Sequence, residues 1–198
     1  MTRKKQPAKD LRPWLRKALA EVVNELSSGD KRIKGLALEA LAFKLMRPVG
    51  LNYVTTRLRG VETGGAEVDM IFESSRLVFS RWQIQCKNTA TVSPDDVAKE
   101  VGLADFSKST VIAIVGTGNI GNEARQYANK VMRKSNMAIV MIDRDDIAGI
   151  VASPAHILDI LNREAEHVTR LKSSHVLELR TLRHAGTARS SGGSSRRT

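Results

Sequence analysis

An acid, an amide and an ammonium are spaced along two short segments so that one sheet face could carry all three. Gly65-Ala66-Glu67-Val68-Asp69-Met70-Ile71 and Trp82-Gln83-Ile84-Gln85-Cys86-Lys87 both alternate with period two, as half-buried strands do. In the first, Glu67, Asp69 and Ile71 share a face. In the second, Gln83, Gln85 and Lys87 do, with Trp82, Ile84 and Cys86 opposite. The break from Glu73 to Phe79 contains Ser74 and Ser75 and is expected to reverse the chain as a hairpin. Pairing then brings Asp69, Gln85 and Lys87 onto one surface. Burying an unpaired charge is expensive, so this grouping asks for a metal, a partner or a reaction. The plain alternative is a cross-strand ion pair between Asp69 and Lys87 on a wet face, and a D…QxK spacing alone does not separate the two.

The elements that would position these residues read as follows. Apolar spacing over Leu11–Leu26 (Leu15, Leu19, Val22, Val23, Leu26) predicts a helix ending near Ser27-Ser28-Gly29. A second runs from about Lys34 to Arg47, stopped by Pro48 and Gly50. A strand over Tyr53–Leu58 precedes Gly60, and Gly64-Gly65 leads into the Asp69 strand. Ser93-Pro94-Asp95-Asp96 opens a helix with a cap and a proline in its first turn. Val111–Val115 and Met137–Ile142 read as buried strands, Asn119–Met132 as a helix, and Arg144–Val151 and Pro154–Glu166 as short helices. The order α-α-β-β-β-α-β-α-β is mixed α/β, opening as a meander and closing with crossover units that suit parallel pairing. Beyond Arg183 the composition is Ser, Gly and Arg, which cannot form a core and is expected to be disordered.

The 198 residues fit one domain, and an apolar fraction of 41% suffices for a core. No apolar run is long enough to span a bilayer, and no apolar segment follows the basic start Met1-Thr2-Arg3-Lys4-Lys5, so neither a membrane helix nor a signal peptide is expected. Cys86 is the sole cysteine, which suits a reducing cytoplasm. The formal charge of +11 is confined to the ends. Residues 1–19 carry +6 and residues 180–198 carry +5, while the stretch between them is neutral. Basic arms on a neutral body read as contacts to a polyanion, nucleic acid first and a membrane surface second. Aromatic residues make up only 4%, too few for a single-strand binder built on stacking. Trp14 and Trp82 are expected as core anchors. His156, His167, His175 and His184 have no cysteines beside them, which argues against zinc.

A second motif competes. Gly116-Thr117-Gly118-Asn119-Ile120-Gly121 sits between a strand and a helix, and Asp143 lies 22 residues past Gly121. By pattern that is a dinucleotide fingerprint. Against it, too few strands follow to complete a doubly wound sheet, and Glu123 would oppose a pyrophosphate in the first helical turn. A glycine-rich turn that lets the helix pack closely is the better reading.

Taken in order, the residues resemble the Mrr-type restriction endonucleases, a branch of the PD-(D/E)xK nuclease superfamily. The resemblance covers roughly 35–150. It rests on Leu38-Glu39, Gly50-Leu51-Asn52-Tyr53-Val54, Gly64-Gly65, Val68-Asp69-Met70-Ile71, Gln83-Ile84-Gln85-Cys86-Lys87, Ile120-Gly121-Asn122-Glu123-Ala124 with Ala128, and Ile142-Asp143 with Ile147. Gln85 in place of the superfamily's usual acid is typical of that branch. Where the family often has an acid four residues before its metal-binding Asp, this chain has Gly65, with Glu67 as a partial substitute.

The resemblance implies a restriction-endonuclease-like αβββαβ core, a mixed central sheet flanked by helices, over 31–152. A basic arm and helix over 1–30, a helical extension over 153–182 and a tail over 183–198 would surround it. It implies a Mg²⁺-dependent DNA endonuclease in restriction or defence, since cleaving a phosphodiester calls for a hard cation on its oxygens and a positioned water. Asp69 is then the anchoring ligand, with the Gln85 amide oxygen, the Cys86 backbone carbonyl and Glu39 in the metal shell. Lys87 serves the water or the charge building on phosphorus. Glu39 lines up with Leu36, Phe43 and Met46 on its helix, an unusual place for an unpaired acid. Glu67 and Gln83 read equally well as site residues or as ordinary strand-surface residues, and the Cys86 thiol as core rather than nucleophile. Arg3, Lys4, Lys5, Arg189, Arg196 and Arg197 are the candidate DNA contacts. The resemblance also admits a homodimer and a separate specificity or helicase/ATPase protein as partners. A Holliday-junction-resolvase-like or catalytically weak DNA-binding module is the alternative class, and a dinucleotide-binding protein using the glycine-rich turn a more distant one.

Overall fold

The computed structural model describes residues 11–59, 65–74 and 80–190, with 174–190 as backbone alone. A 3-10 turn over Pro13–Arg16 leads into helix α1 (Leu19–Leu26) and helix α2 (Lys31–Met46). Strands β1 (Asn52–Arg59), β2 (Glu67–Ser74) and β3 (Ser80–Lys87) follow, then the short strand β4 (Thr91–Val92) and helix α3 (Pro94–Ser107). Strand β5 (Val111–Gly116), short strand β6 (Asn119–Ile120), helix α4 (Asn122–Lys134), strand β7 (Ala138–Ile142) and helices α5 (Arg144–Ala152) and α6 (His156–Ser190) complete the chain.

The main sheet has the order β1-β2-β3-β5-β7. β1, β2 and β3 are antiparallel neighbours, and β3, β5 and β7 run parallel. The expected αβββαβ order is therefore found as α2-β1-β2-β3-α3-β5. One face packs Met70, Phe72, Ile84, Ala113 and Val115 against the apolar side of α2. The other packs Ile112, Ile114, Ile139 and Met141 against α3 and α4. Helices on both faces explain why the parallel strands read as continuous apolar runs.

Several sequence expectations needed correction. The helix expected over 11–26 is broken at Lys17 and Ala18, which are extended with ψ near 150°. The break lets Leu15 turn into the core while Trp14 reaches α2. The helix expected from Asn119 starts at Asn122, because Asn119 and Ile120 pair in parallel with Thr91 and Val92. The helix expected over 154–166 continues to Ser190, since no proline or glycine interrupts the chain between Pro154 and Gly186. Residues 184–190, expected in the disordered tail, are thus helical. The hairpin tip at 75–79 lies outside the described residues, although Ser74 and Ser80 pair as a hairpin requires. Gly60 and Gly64 also lie outside them.

The glycine-rich turn packs on the loop after β3. A Cβ at Gly118 would stand 2.1 Å from the Ala90 carbonyl oxygen, so only glycine fits there. The Asn119 and Gly121 amides donate to the carbonyls of Ala90 and Val92. Asp143 caps α5 and accepts from Arg125, so its carboxylate already has partners. This accounts for the motif without a cofactor.

Candidate active site

The site lies where β2 and β3 stop pairing. Their register runs from Ser74–Ser80 to Met70–Ile84. Past that point a side chain takes over from the backbone. Asp69 Oδ2 accepts from the Cys86 N–H at 2.7 Å and from Gln85 Nε2 at 3.0 Å. The Asp69 carbonyl is held from β1 by Thr56 Oγ1 at 2.6 Å. Asp69 is only 8% exposed. Its pKa is pushed up to about 7, first by burial and further by the charges of Glu39, Glu100 and Glu67, against the lowering effect of the Cys86 N–H.

Gln85 is buried beside it, and its Oε1 has no hydrogen-bond partner. A buried amide oxygen without a donor is costly. It and the neighbouring Asp69 carboxylate are hard oxygens of the kind that can hold a cation. Among the described residues no three His, Cys, Asp or Glu side chains form a metal cluster.

The structure gives Lys87 partners other than Asp69. Its Nζ lies 3.0 Å from Asp96 Oδ1 and 3.5 Å from Glu100 Oε1, both on α3. The Asp69–Lys87 cross-strand pair entertained from the sequence is not the pairing found. Cys86 packs against the α2-side core, and desolvation pushes its thiol pKa well above the usual range, as expected of a structural cysteine. Gln83 is fully buried rather than on the strand surface. Its Nε2 donates to Glu100 Oε2 at 3.0 Å and its Oε1 accepts from Ser107 Oγ at 2.9 Å. Glu67 pairs with Arg59 at 2.6 Å and lies 4.0 Å from Arg57.

Glu39 is buried at 7% exposure on α2, as its alignment with apolar residues suggested. Both of its oxygens are engaged: Oε2 accepts from Trp14 Nε1 and Oε1 from Arg57 Nη2, each at 2.9 Å. The Arg57 guanidinium lies 4.8 Å from the Trp14 ring centroid, a cation–π distance. Arg57 also has φ of +53°, a left-handed conformation uncommon outside glycine, at a strand position across from Asp69. Trp14 is thus partly a core residue, as expected, and partly a polar anchor for Glu39.

Arg57, Asp96 and Glu100 were not singled out from the sequence. Nothing local marks Arg57. Asp96 and Glu100 do carry a signal: two acids at i, i+4 on the helix that follows the Lys87 strand. Of the candidate DNA contacts, Arg3, Lys4, Lys5, Arg196 and Arg197 lie outside the described residues, and Arg189 falls where only backbone is described.

No curated protein matches the chain. Among solved structures, the DNA modification-dependent restriction endonuclease AspBHI aligns with a TM-score of 0.40 at 13% identity. That alignment covers 86% of this chain and 43% of the other, so the chain spans less than half of that protein. A family model described as restriction endonuclease, the Mrr catalytic domain, matches residues 31–151, from the start of α2 into the end of α5. Matched over more than half its length and across every strand of the sheet, the chain belongs to the Mrr-type restriction endonuclease family.

Proposed function

We propose that this domain is a Mg²⁺-dependent endonuclease that hydrolyses DNA phosphodiester bonds, acting in the cytoplasm to restrict foreign DNA. The observation that carries the reading is the unpartnered, buried Gln85 Oε1 beside the desolvated Asp69 carboxylate. Membership of a restriction endonuclease family supports DNA as the substrate, and the basic chain ends, +6 and +5, suit its phosphates. Residues 31–152 would be the catalytic core.

Asp69 and Gln85 Oε1 would hold the ion, with the Cys86 carbonyl as a third oxygen. Glu39 acts at one remove in the same shell, because Trp14 and Arg57 already engage both its oxygens. When bound, Mg²⁺ would offset negative charge on the scissile phosphate. Asp69 fixes the position of the site: its carboxylate bridges the gap between two strands through two hydrogen bonds. Lys87, an ammonium held beside Asp96 and Glu100, orients the attacking water or offsets negative charge building on phosphorus. Gln85 contributes an oxygen without a charge, so the site carries one anion fewer than a two-carboxylate nuclease, and the DNA phosphate completes it.

The test is plasmid nicking with Mg²⁺ and with EDTA. Cleavage in the first and none in the second is expected. DNA binding without cleavage under either Mg²⁺ or Mn²⁺ would make the domain a DNA-binding module instead.

A further inference from the structure

Helix α3 offers two acids, one turn apart, to a single ammonium. Lys87 Nζ is 3.0 Å from Asp96 Oδ1 and 3.5 Å from Glu100 Oε1. Glu100 is fully buried. A buried acid is expensive, and an apolar side chain of similar volume would serve packing at least as well. What restrains the two acids shows what they are for. Glu100 Oε2 is fixed by Gln83 Nε2, and Gln83 is fixed in turn by Ser107 Oγ, which lies 2.8 Å from Ser109 Oγ. Asp96 Oδ2 is fixed by the N–H and Oγ of Ser93, both at 2.9 Å, in the capping box of α3. Each acid is pinned by one oxygen and presents the other to Lys87. Glu100 Oε1 has no other partner, and at 3.5 Å its contact with Lys87 is one of charge rather than a well-formed hydrogen bond.

Asp69 already holds Gln85 and Cys86, the two residues that precede Lys87 in β3. Lys87 paired there would neutralise the carboxylate needed to hold a cation. We infer that Glu100, with Asp96, is a positioning residue that cradles the Lys87 ammonium on the α3 side of the site and keeps Asp69 free for its ligand. This rests on the nuclease reading above and extends it to two residues that act through Lys87.

A rate cycle between positions 100 and 87 tests the inference, using the full chain in single-turnover plasmid cleavage with Mg²⁺ and excess enzyme. Glu100→Gln should slow cleavage about 10- to 100-fold and leave the DNA Kd within about twofold. In a Lys87→Ala background the same substitution should change the residual rate by less than about twofold, because the residue it acts through is gone. Equal losses in both backgrounds, or a wild-type rate for Glu100→Gln, would overturn the inference. If Glu100→Gln fails to fold, Asp96→Asn enters the same cycle from a half-exposed position, with an expected loss of about 3- to 10-fold. An Asp96→Asn loss that persists in the Lys87→Ala background would overturn the inference as well. A wild-type protein that cuts with no divalent metal ion overturns both readings. One that cuts, and stops with Lys87→Ala but not with Glu100→Gln, overturns this inference alone.

Discussion

Asp69 accepts the Cys86 N–H at 2.7 Å where β2 and β3 no longer exchange backbone hydrogen bonds. The carboxylate thus closes the sheet locally while standing at the mouth of the opened strand pair. One residue has both a structural and a chemical task, which sets how its variants should behave.

Asp69→Ala and Lys87→Ala should each reduce cleavage to about a thousandth or less, since each removes several kcal/mol of transition-state stabilisation. Circular dichroism should show a retained fold. Asp69→Ala should also lower the melting temperature, because it leaves the half-buried Cys86 N–H without its acceptor. Near-wild-type cleavage by Lys87→Ala would remove Lys87 from the chemistry.

Gln85→Glu places a second carboxylate where Gln85 Nε2 now donates to Asp69 at 3.0 Å. In EDTA the two anions repel, so the variant should melt below wild type. Mg²⁺ should restore its melting temperature and bind more tightly by calorimetry. A variant as stable as wild type in EDTA and unresponsive to Mg²⁺ would mean that Gln85 serves the fold or the DNA instead.

The metal-free protein should lose stability as pH rises. Burial holds the Asp69 pKa near 7 in the folded state, against about 4 in the unfolded chain. The folded state therefore binds a proton that the unfolded chain releases. The contribution is fully present below about pH 4 and is lost as pH climbs through 7, at most on the order of 4 kcal/mol. Thermal melts in EDTA across this window should fall for wild type, while those of Asp69→Asn should stay flatter. Parallel curves for the two proteins would refute the assignment.

Gly118→Ala should be strongly destabilising or prevent folding, because its Cβ would meet the Ala90 carbonyl at 2.1 Å. Backbone yields little to such a clash. Unchanged melting would show that the turn has room for a side chain and would reopen the nucleotide reading.

Deleting residues 189–198 removes Arg189, Arg196 and Arg197. The slope of log affinity for DNA against log salt should flatten by up to about 2.7 units, at roughly 0.9 for each phosphate no longer neutralised. Cleavage at saturating protein should persist. An unchanged affinity and slope would separate the tail from DNA binding.

The local sequence determined the five strands of the main sheet, the cap at Ser93, the turn at Gly116–Gly121 and the burial of Glu39. Period two, period 3.6 and cap chemistry are properties of neighbouring residues, and they survive folding. Strand alternation also put Asp69, Gln85 and Lys87 on one face, and the resemblance of the ordered residues to the Mrr family made that face a nuclease site. Which partners those groups take was decided in three dimensions. Lys87 pairs with Asp96 and Glu100 because α3 crosses back over the end of β3. Arg57 reaches Glu39 from a left-handed strand position, with Trp14 against it from a turn more than forty residues earlier. A charge finds its counter-charge by distance in space, and no periodicity along the chain encodes that distance.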